Sequence, residues 1–238
     1  MEKLLCIIPV YNTEKYIEGA IESVLQQENV NLHLCIIDDC STDNTFNVID
    51  KYTSYENVTI LQNETNRGTY YSQNRGLELL KNGSYTHFTI HGSDDISVIN
   101  RYRIMLDMFD NNVYFVPTVY MRLDEQYFTS NNINYEMGLL HTGLGNGIGV
   151  YRTEIFNNIG YYDNSRFGAD TDYYFRATSW CKLHKKNYNV CNEILYIARE
   201  RSDRLAKTHT DRSAYIQKIN NDINNMSRSK NFYRNKFK

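Results

Sequence analysis

The chain has 238 residues, 41% hydrophobic and 23% charged, and its 26 basic and 28 acidic side chains leave a formal charge of −2. That balance excludes a disordered chain and a strongly basic nucleic-acid binder, and the length suits one large α/β domain better than two compact ones. Five cysteines, none in a C-x-x-C pair, read as reduced thiols in a cytoplasm rather than as a disulfide frame or zinc site.

Residues 4–10 form a continuous run, apolar except for Pro9, which predicts a strand buried on both faces. The run is too short for a signal-peptide core or a membrane span. Ile17, Ala20, Ile21, Val24 and Leu25 follow at helical spacing. A second strand over 32–37 ends in Asp38-Asp39, and Ser41 or Thr42 can cap the next helix, which turns Phe46, Ile49 and Tyr52 inward. A strand over 58–61, a helix over 70–80 and a strand over 86–90 complete a parallel βα alternation. Strands one, two and four each end in a polar cluster, where open parallel sheets bind ligands.

The second half is less regular. Residues 98–109 read as a helix, and 113–121 as a strand that Pro117 places near a sheet edge. Residues 124–134 are polar and unpatterned, and the glycine-rich stretch 138–149 reads as a flexible loop. Helices are predicted over 154–158, 171–183 and 212–226, followed by a basic, aromatic tail over 228–238. The chain thus divides into a regular first half (1–97), an irregular second half (98–210) and a C-terminal helix with its tail (211–238), all within one domain.

Two nucleotide motifs are missing. Pro9-Val10-Tyr11-Asn12 stands where a G-x-G-x-x-G turn would follow the first strand, and there is no G-K-[ST]. That also leaves a nucleotidyltransferase without its basic, glycine-rich first loop. What remains is carboxylates at strand ends. Asp39 can accept a ring N–H from a base or serve the turn. Asp94-Asp95 suits a hard divalent cation gripping phosphates, or a solvated turn.

Taken in order, Ile7-Ile8-Pro9-Val10-Tyr11-Asn12, Ile37-Asp38-Asp39-Cys40-Ser41-Thr42-Asp43, Asn66-Arg67-Gly68 and Gly92-Ser93-Asp94-Asp95 resemble the family 2 glycosyltransferases. The resemblance covers residues 3–110 and resumes over 148–180. It implies a GT-A fold, with a Rossmann-like, mostly parallel central sheet flanked by helices and an irregular acceptor side. It further implies that Pro9, Tyr11 and Asn12 line a nucleotide pocket and that Asp39, with Asp38 beside it, accepts the ring N–H of a uracil-like base. Asp94 would lie on the nucleotide side, with Asp95 the direct ligand of Mn²⁺ or Mg²⁺ and His209 a candidate further metal ligand.

Phe167-Gly168-Ala169-Asp170 occupies the place of the family's acidic pair, so Asp170 is implied as the catalytic base of an inverting transfer and Ala169 replaces the usual first acid. The alternative role for Asp170 is helix capping. Ser72-Gln73-Asn74-Arg75-Gly76 departs from the family's Ala-Arg-Asn-x-Gly, putting Gln73 where an arginine approaches the nucleotide. Asn74 stays in the nucleotide-binding set and Arg67 is the candidate to supply the charge, since Arg75 should face away from Gln73. Cys40 replaces a common glycine and is strained if its turn needs positive φ.

The implied activity is a metal-dependent, inverting hexosyl transfer from a nucleoside-diphosphate sugar, UDP-linked by default, to a hydroxyl of a glycan or glycoprotein. The rival is a catalytically inactive GT-A descendant that binds nucleotide or glycan only. A nucleic-acid partner and a transmembrane segment are not expected. The basic C-terminus could touch a membrane surface, and a homodimer is open. The expected location is the cytoplasm, or a host's cytoplasm should the asparagine-rich, proline-poor composition mark a viral genome.

Overall fold

The computed structural model describes residues 2–129, 132–133, 139–165 and 168–201. Its first half runs β1 (Leu4–Val10), α1 (Ile17–Leu25), β2 (Leu32–Asp38), α2 (Thr45–Asp50), β3 (Val58–Gln62), α3 (Thr69–Leu77) and β4 (His87–Ile90). These strands lie side by side in the order β3-β2-β1-β4, all parallel.

The continuous apolar run of β1 has a direct cause. Leu5 and Ile7 face one side of the sheet with Cys35 and Ile37, packed on Leu77 of α3. Leu4, Cys6, Ile8 and Val10 face the other side, packed on Ile17, Ala20, Ile21 and Val24 of α1. Alternation along a strand therefore covers both faces, and each fully buried aliphatic side chain contributes about 1.5–3 kcal/mol.

The second half continues with β5 (Ile96–Ser97), α4 (Arg101–Asp107), β6 (Phe115–Asp124), the short pair β7 (Phe128–Thr129) and β8 (Asn132–Ile133), β9 (Leu139–Arg152), α5 (Thr153–Ile159), α6 (Ala169–Leu183) and β10 (Cys191–Glu200). β9, β6, β10 and β5 extend the sheet beyond β4, giving eight strands among the described residues. β9 is antiparallel to β4 and β6, β6 and β10 are parallel, and β5 is antiparallel to β10. The α/β, Rossmann-like expectation holds, with a parallel half and a mixed half. No helix among the described residues is long and apolar enough to cross a membrane.

Three local readings are corrected. The glycine-rich stretch is not a loop: it forms most of β9, whose glycines carry no β-branched signal to read. Pro117 is not at an edge, because β6 lies between β9 and β10. It is tolerated there because the ladder is interrupted: Val116 pairs with Val150 and Thr118 with Gly145, so residues 146–149 bulge out opposite Pro117 alone. A Cβ on Gly149 would lie 2.9 Å from the Val116 carbonyl oxygen, so only glycine fits at the base of that bulge. Neither Ser41 nor Thr42 caps α2, whose cap is Asn44. Instead the Asn12 N–H donates to Ser41 Oγ, and Asn12 Oδ1 accepts the Thr42 N–H.

β10 and β5 were not anticipated. The predicted helix over 70–80 ends earlier, as α3 followed by a 3₁₀ turn over Glu78–Asn82. His209, the predicted helix over 212–226 and the basic tail lie outside the described residues.

Candidate active site

Between β1 and β4 the strand order reverses, which is the crevice position for ligands in an open α/β sheet. β1 pairs with β4 only as far as Ile7 and Ile90, so Pro9 lies past the last pair. A cleft of about 1070 Å³ opens there. Pro9, Tyr11, Asn12 and Asp39 line one part of it, Asp94 and Asp95 another, and Asp170 a third. These seven are the predicted site residues that the fold brings together.

Three others it does not bring there. Asn74 is fully buried, its Nδ2 donating to the Tyr162 carbonyl and its Oδ1 accepting the Tyr162 N–H. It ties α3 to the segment before α6 and does not line the cleft. Asp38 is buried behind the cleft, its carboxylate accepting from the Ser41 N–H and Gln62 Nε2. Arg67 is exposed and lies over the Tyr71 ring at 4.2 Å.

The carboxylate of Asp39 organises its surroundings. Oδ1 accepts from Asn63 Nδ2 at 2.6 Å and from the Arg67 N–H at 3.0 Å, and Oδ2 accepts the Gly68 N–H at 2.7 Å. The Asn66-Arg67-Gly68 turn is thus wrapped on Asp39, with Gly68 at φ +91°. Cys40 takes φ +63°, so the strain foreseen for it is present.

Gln73 faces the cleft while only 7% exposed, and its Oε1 has no hydrogen-bond partner among the described residues. Arg75 turns away and donates to the Gln62 carbonyl.

The acidic pair, just past β4, is held by residues of β10 and the residue that follows it. Asp95 accepts the Tyr196 hydroxyl at 2.6 Å and the Arg199 N–H at 2.8 Å. Asp94 pairs with Arg201, Nε to Oδ2, at 3.1 Å. Burial pushes both carboxyl groups above the ordinary carboxylate range. At Asp94 the guanidinium groups of Arg201, Arg199 and Arg122 oppose the rise, whereas at Asp95 the adjacent charge of Asp94 adds to it and takes the group to about 7. His91 lies behind the pair, fully buried between the Gly92 carbonyl and Ser97 Oγ.

Two adjacent desolvated carboxylates are hard oxygen donors of the kind Mn²⁺ or Mg²⁺ takes. Among the described residues no third His, Cys, Asp or Glu joins them. The pair therefore fits a cation that draws its other ligands from a phosphate-bearing partner and water.

Asp170 lies in the first turn of α6, whose cap is Gly168. Its Oδ1 accepts the Tyr70 hydroxyl at 3.0 Å. A Cβ on Gly147 would sit 3.0 Å from Asp170 Cβ, so the glycine lets the β9 bulge close against the acid. Arg101, fully buried, donates to the Ile148 carbonyl and to Ser97 Oγ and pins that bulge. Behind Asp170, Asp172 and Arg176 form a buried ion pair at 2.8 Å, and Arg176 also donates to the carbonyls of Ile159 and Tyr161. Trp180 packs on Tyr114 at 5.2 Å, away from the cleft.

Sequence reasoning missed Tyr70, Arg122, Tyr196 and Arg201 as cleft residues. The apolar run Ile194-Leu195-Tyr196-Ile197-Ala198 was the available signal for the strand that carries Tyr196 and leads into Arg201.

A family model for glycosyl transferase family 2 matches residues 5–179. The glycosyltransferase GlyG of Streptococcus pneumoniae is 26% identical, covering 89% of this chain and 75% of GlyG. WfgD of Escherichia coli, a UDP-Glc:α-D-GlcNAc-diphosphoundecaprenol β-1,3-glucosyltransferase, is 31% identical over 58% of this chain and 56% of its own length. Among solved structures, Staphylococcus aureus TarS 1–349 in complex with UDP-GlcNAc aligns with TM-score 0.72 at 20% identity, over 94% of this chain and 65% of that one. The mannosyltransferase PcManGT of Pyrobaculum calidifontis, in complex with GDP-Man and Mn²⁺, aligns with TM-score 0.59 at 14% identity, over 92% and 60%. Both structural likenesses carry the fold. The chain spans a little over half of WfgD and about two thirds of the TarS fragment.

Proposed function

The chain belongs to glycosyl transferase family 2, and from that premise we propose that it transfers a sugar from a nucleoside-diphosphate donor, UDP-linked, to a hydroxyl of a glycan acceptor with inversion. The observation that carries the reading is that Asp170 lines the same cleft as Asp39 and the Asp94–Asp95 pair. A base must stand apart from the groups that hold the leaving diphosphate, because attack and departure occur on opposite faces of the anomeric carbon.

In this reading residues 1–97 supply most of the donor site and residues 98–210 the acceptor side. Tyr11, 44% exposed at the cleft, packs against the base, and Asp39 accepts its ring N–H. The UDP-GlcNAc bound by TarS and the UDP-Glc named for WfgD support a UDP-linked donor. Asp170 takes the proton of the acceptor hydroxyl as its oxygen bonds to the anomeric carbon and the bond to the diphosphate breaks. Asp94 and Asp95 would hold a divalent cation, Mn²⁺ or Mg²⁺, whose charge offsets that of the departing diphosphate. Tyr196 and the Arg199 N–H fix Asp95 for that purpose, and Tyr70 fixes Asp170.

A thermal-shift screen against UDP, GDP, dTDP and CDP, each with Mn²⁺ or with EDTA, tests the donor side. Binding to the native state stabilises it by mass action, by about 2.7 kcal/mol at a hundredfold excess over Kd. The reading expects a metal-dependent shift with UDP. A shift with none of the four would overturn it.

A further inference from the structure

The two adjacent acids of the cleft, Asp94 and Asp95, are held in different ways. Asp95 is fixed by uncharged donors, the Tyr196 hydroxyl and the Arg199 N–H. The carboxylate of Asp94 is held by a guanidinium, that of Arg201, just past the end of β10. Arg201 itself lines the cleft and lies over the Tyr16 ring at 5.1 Å. Its partner Asp94 and Arg201 are both well shielded, with side chains 19% and 14% exposed.

Charge counting gives the pair a meaning. Arg122 is paired with Glu200 at 3.5 Å, and Arg199 donates to the Asp94 carbonyl at 3.1 Å. Arg199 and Arg201 then balance Asp94 and Asp95, so the corner of the cleft around this pair is close to neutral without nucleotide, with Asp39 and Asp170 in other parts of the cleft. A divalent cation entering alone brings uncompensated positive charge into a shielded site and must compete with Arg201 for Asp94. A diphosphate entering alone brings uncompensated negative charge. Entering together they cancel, and a phosphate offers Arg201 a replacement for the carboxylate it gives up, with the fork geometry that guanidinium groups favour.

Resting on the donor reading above, we propose that Arg201 is a partner-exchanging phosphate-binding residue. It occupies Asp94 in the nucleotide-free cleft, yields that carboxylate to the cation, and transfers to the diphosphate, so that cation and nucleotide bind cooperatively.

The test is binding by titration calorimetry to the full chain of wild type, R201Q and R201K, with Mn²⁺ alone, UDP alone, and UDP in the presence of Mn²⁺. Wild type should bind Mn²⁺ weakly alone and UDP far better with Mn²⁺. R201Q should bind Mn²⁺ alone severalfold more tightly, because its competitor is gone, and should bind UDP with Mn²⁺ about tenfold more weakly, the loss of one charge-assisted contact. R201K, which keeps the charge but not the fork, should fall between. R201Q and R201K both unchanged in Mn²⁺ and UDP affinity would overturn the proposal, as would weaker Mn²⁺ binding in R201Q. Failure of wild type to bind UDP under any condition would instead sink the donor reading on which the exchange rests.

Discussion

The hydroxyl of Tyr70, on the helix after β3, donates to Oδ1 of Asp170, one hundred residues later, at 3.0 Å. This bond crosses the cleft from the nucleotide side to the acceptor side and sets the orientation of the carboxylate. Tyr70 is nearly buried and stacks on Tyr162 at a centroid distance of 5.9 Å, so phenylalanine keeps the packing and removes only the donor. A hydrogen bond to a charged group is worth about 1.5–3 kcal/mol. Tyr70→Phe should lower kcat about tenfold or more with donor KM within about twofold. Steady-state kinetics checks this, and an unchanged kcat would deny the contact a part in positioning the base.

The ion pair of Asp172 with Arg176 is buried, with side chains 3% and 0% exposed. Removing one partner of such a pair leaves an uncompensated charge and costs about 3–5 kcal/mol. Asp172→Ala should therefore lower urea-denaturation stability by that amount, although Arg176 keeps its bonds to the carbonyls of Ile159 and Tyr161. A loss under about 1 kcal/mol would mean that those carbonyls suffice to compensate the guanidinium.

Cys40 holds φ +63° in the turn after Asp39. A left-handed conformation costs an L-residue about 1–2 kcal/mol, while glycine's added freedom in the unfolded chain takes back about 0.5–1. Cys40→Gly should raise the midpoint of urea denaturation, by about 0.5–1 kcal/mol in stability, and leave UDP binding unchanged. A clear loss of stability would show that the Cys40 Sγ contact to the Glu64 carbonyl at 3.7 Å outweighs the strain.

His87 is buried beneath Phe109, and burial, with Arg152 nearby, lowers its pKa to about 4. Folded, it stays neutral in the range where the unfolded chain, with an ordinary histidine near 6.5, takes up a proton. Its contribution is complete above that value and is lost as the pH falls from about 6.5 toward 4, at about 1.4 kcal/mol per pH unit. Denaturation at pH 7 and pH 5 should show a smaller drop in His87→Phe than in wild type, by about 2 kcal/mol. Equal drops would place the acid sensitivity elsewhere.

The βα half was legible because its buried strands are continuous apolar runs and its helices have a single apolar stripe, so β1 and α1 come out with the bounds that Leu4–Val10 and Ile17–Leu25 take. The polar residues at the ends of β1, β2 and β4 were legible for the same reason, since the strand ends locate them. The second half was not, because β9 is spelled in glycines whose value lies in close approach to Asp170 and Val116, a property of the neighbours and not of the segment. Asn74 shows the opposite failure. An amide in a nucleotide-binding motif gives no sign that both its ends belong to the Tyr162 backbone. With β10 unread despite its apolar run over 194–198, Tyr196 and Arg201, which hold the acidic pair, were missed as well.

The measurement that bears most directly on the central claim is UDP-sugar turnover by Asp170→Asn beside its UDP affinity. The account predicts transfer reduced by at least about a hundredfold, the usual scale for a missing general base, with UDP binding in the presence of Mn²⁺ unchanged from wild type. Transfer retained at the wild-type rate would remove Asp170 from the role of base, and UDP binding without transfer even in the wild type would mark the chain as a binding-only descendant of its family.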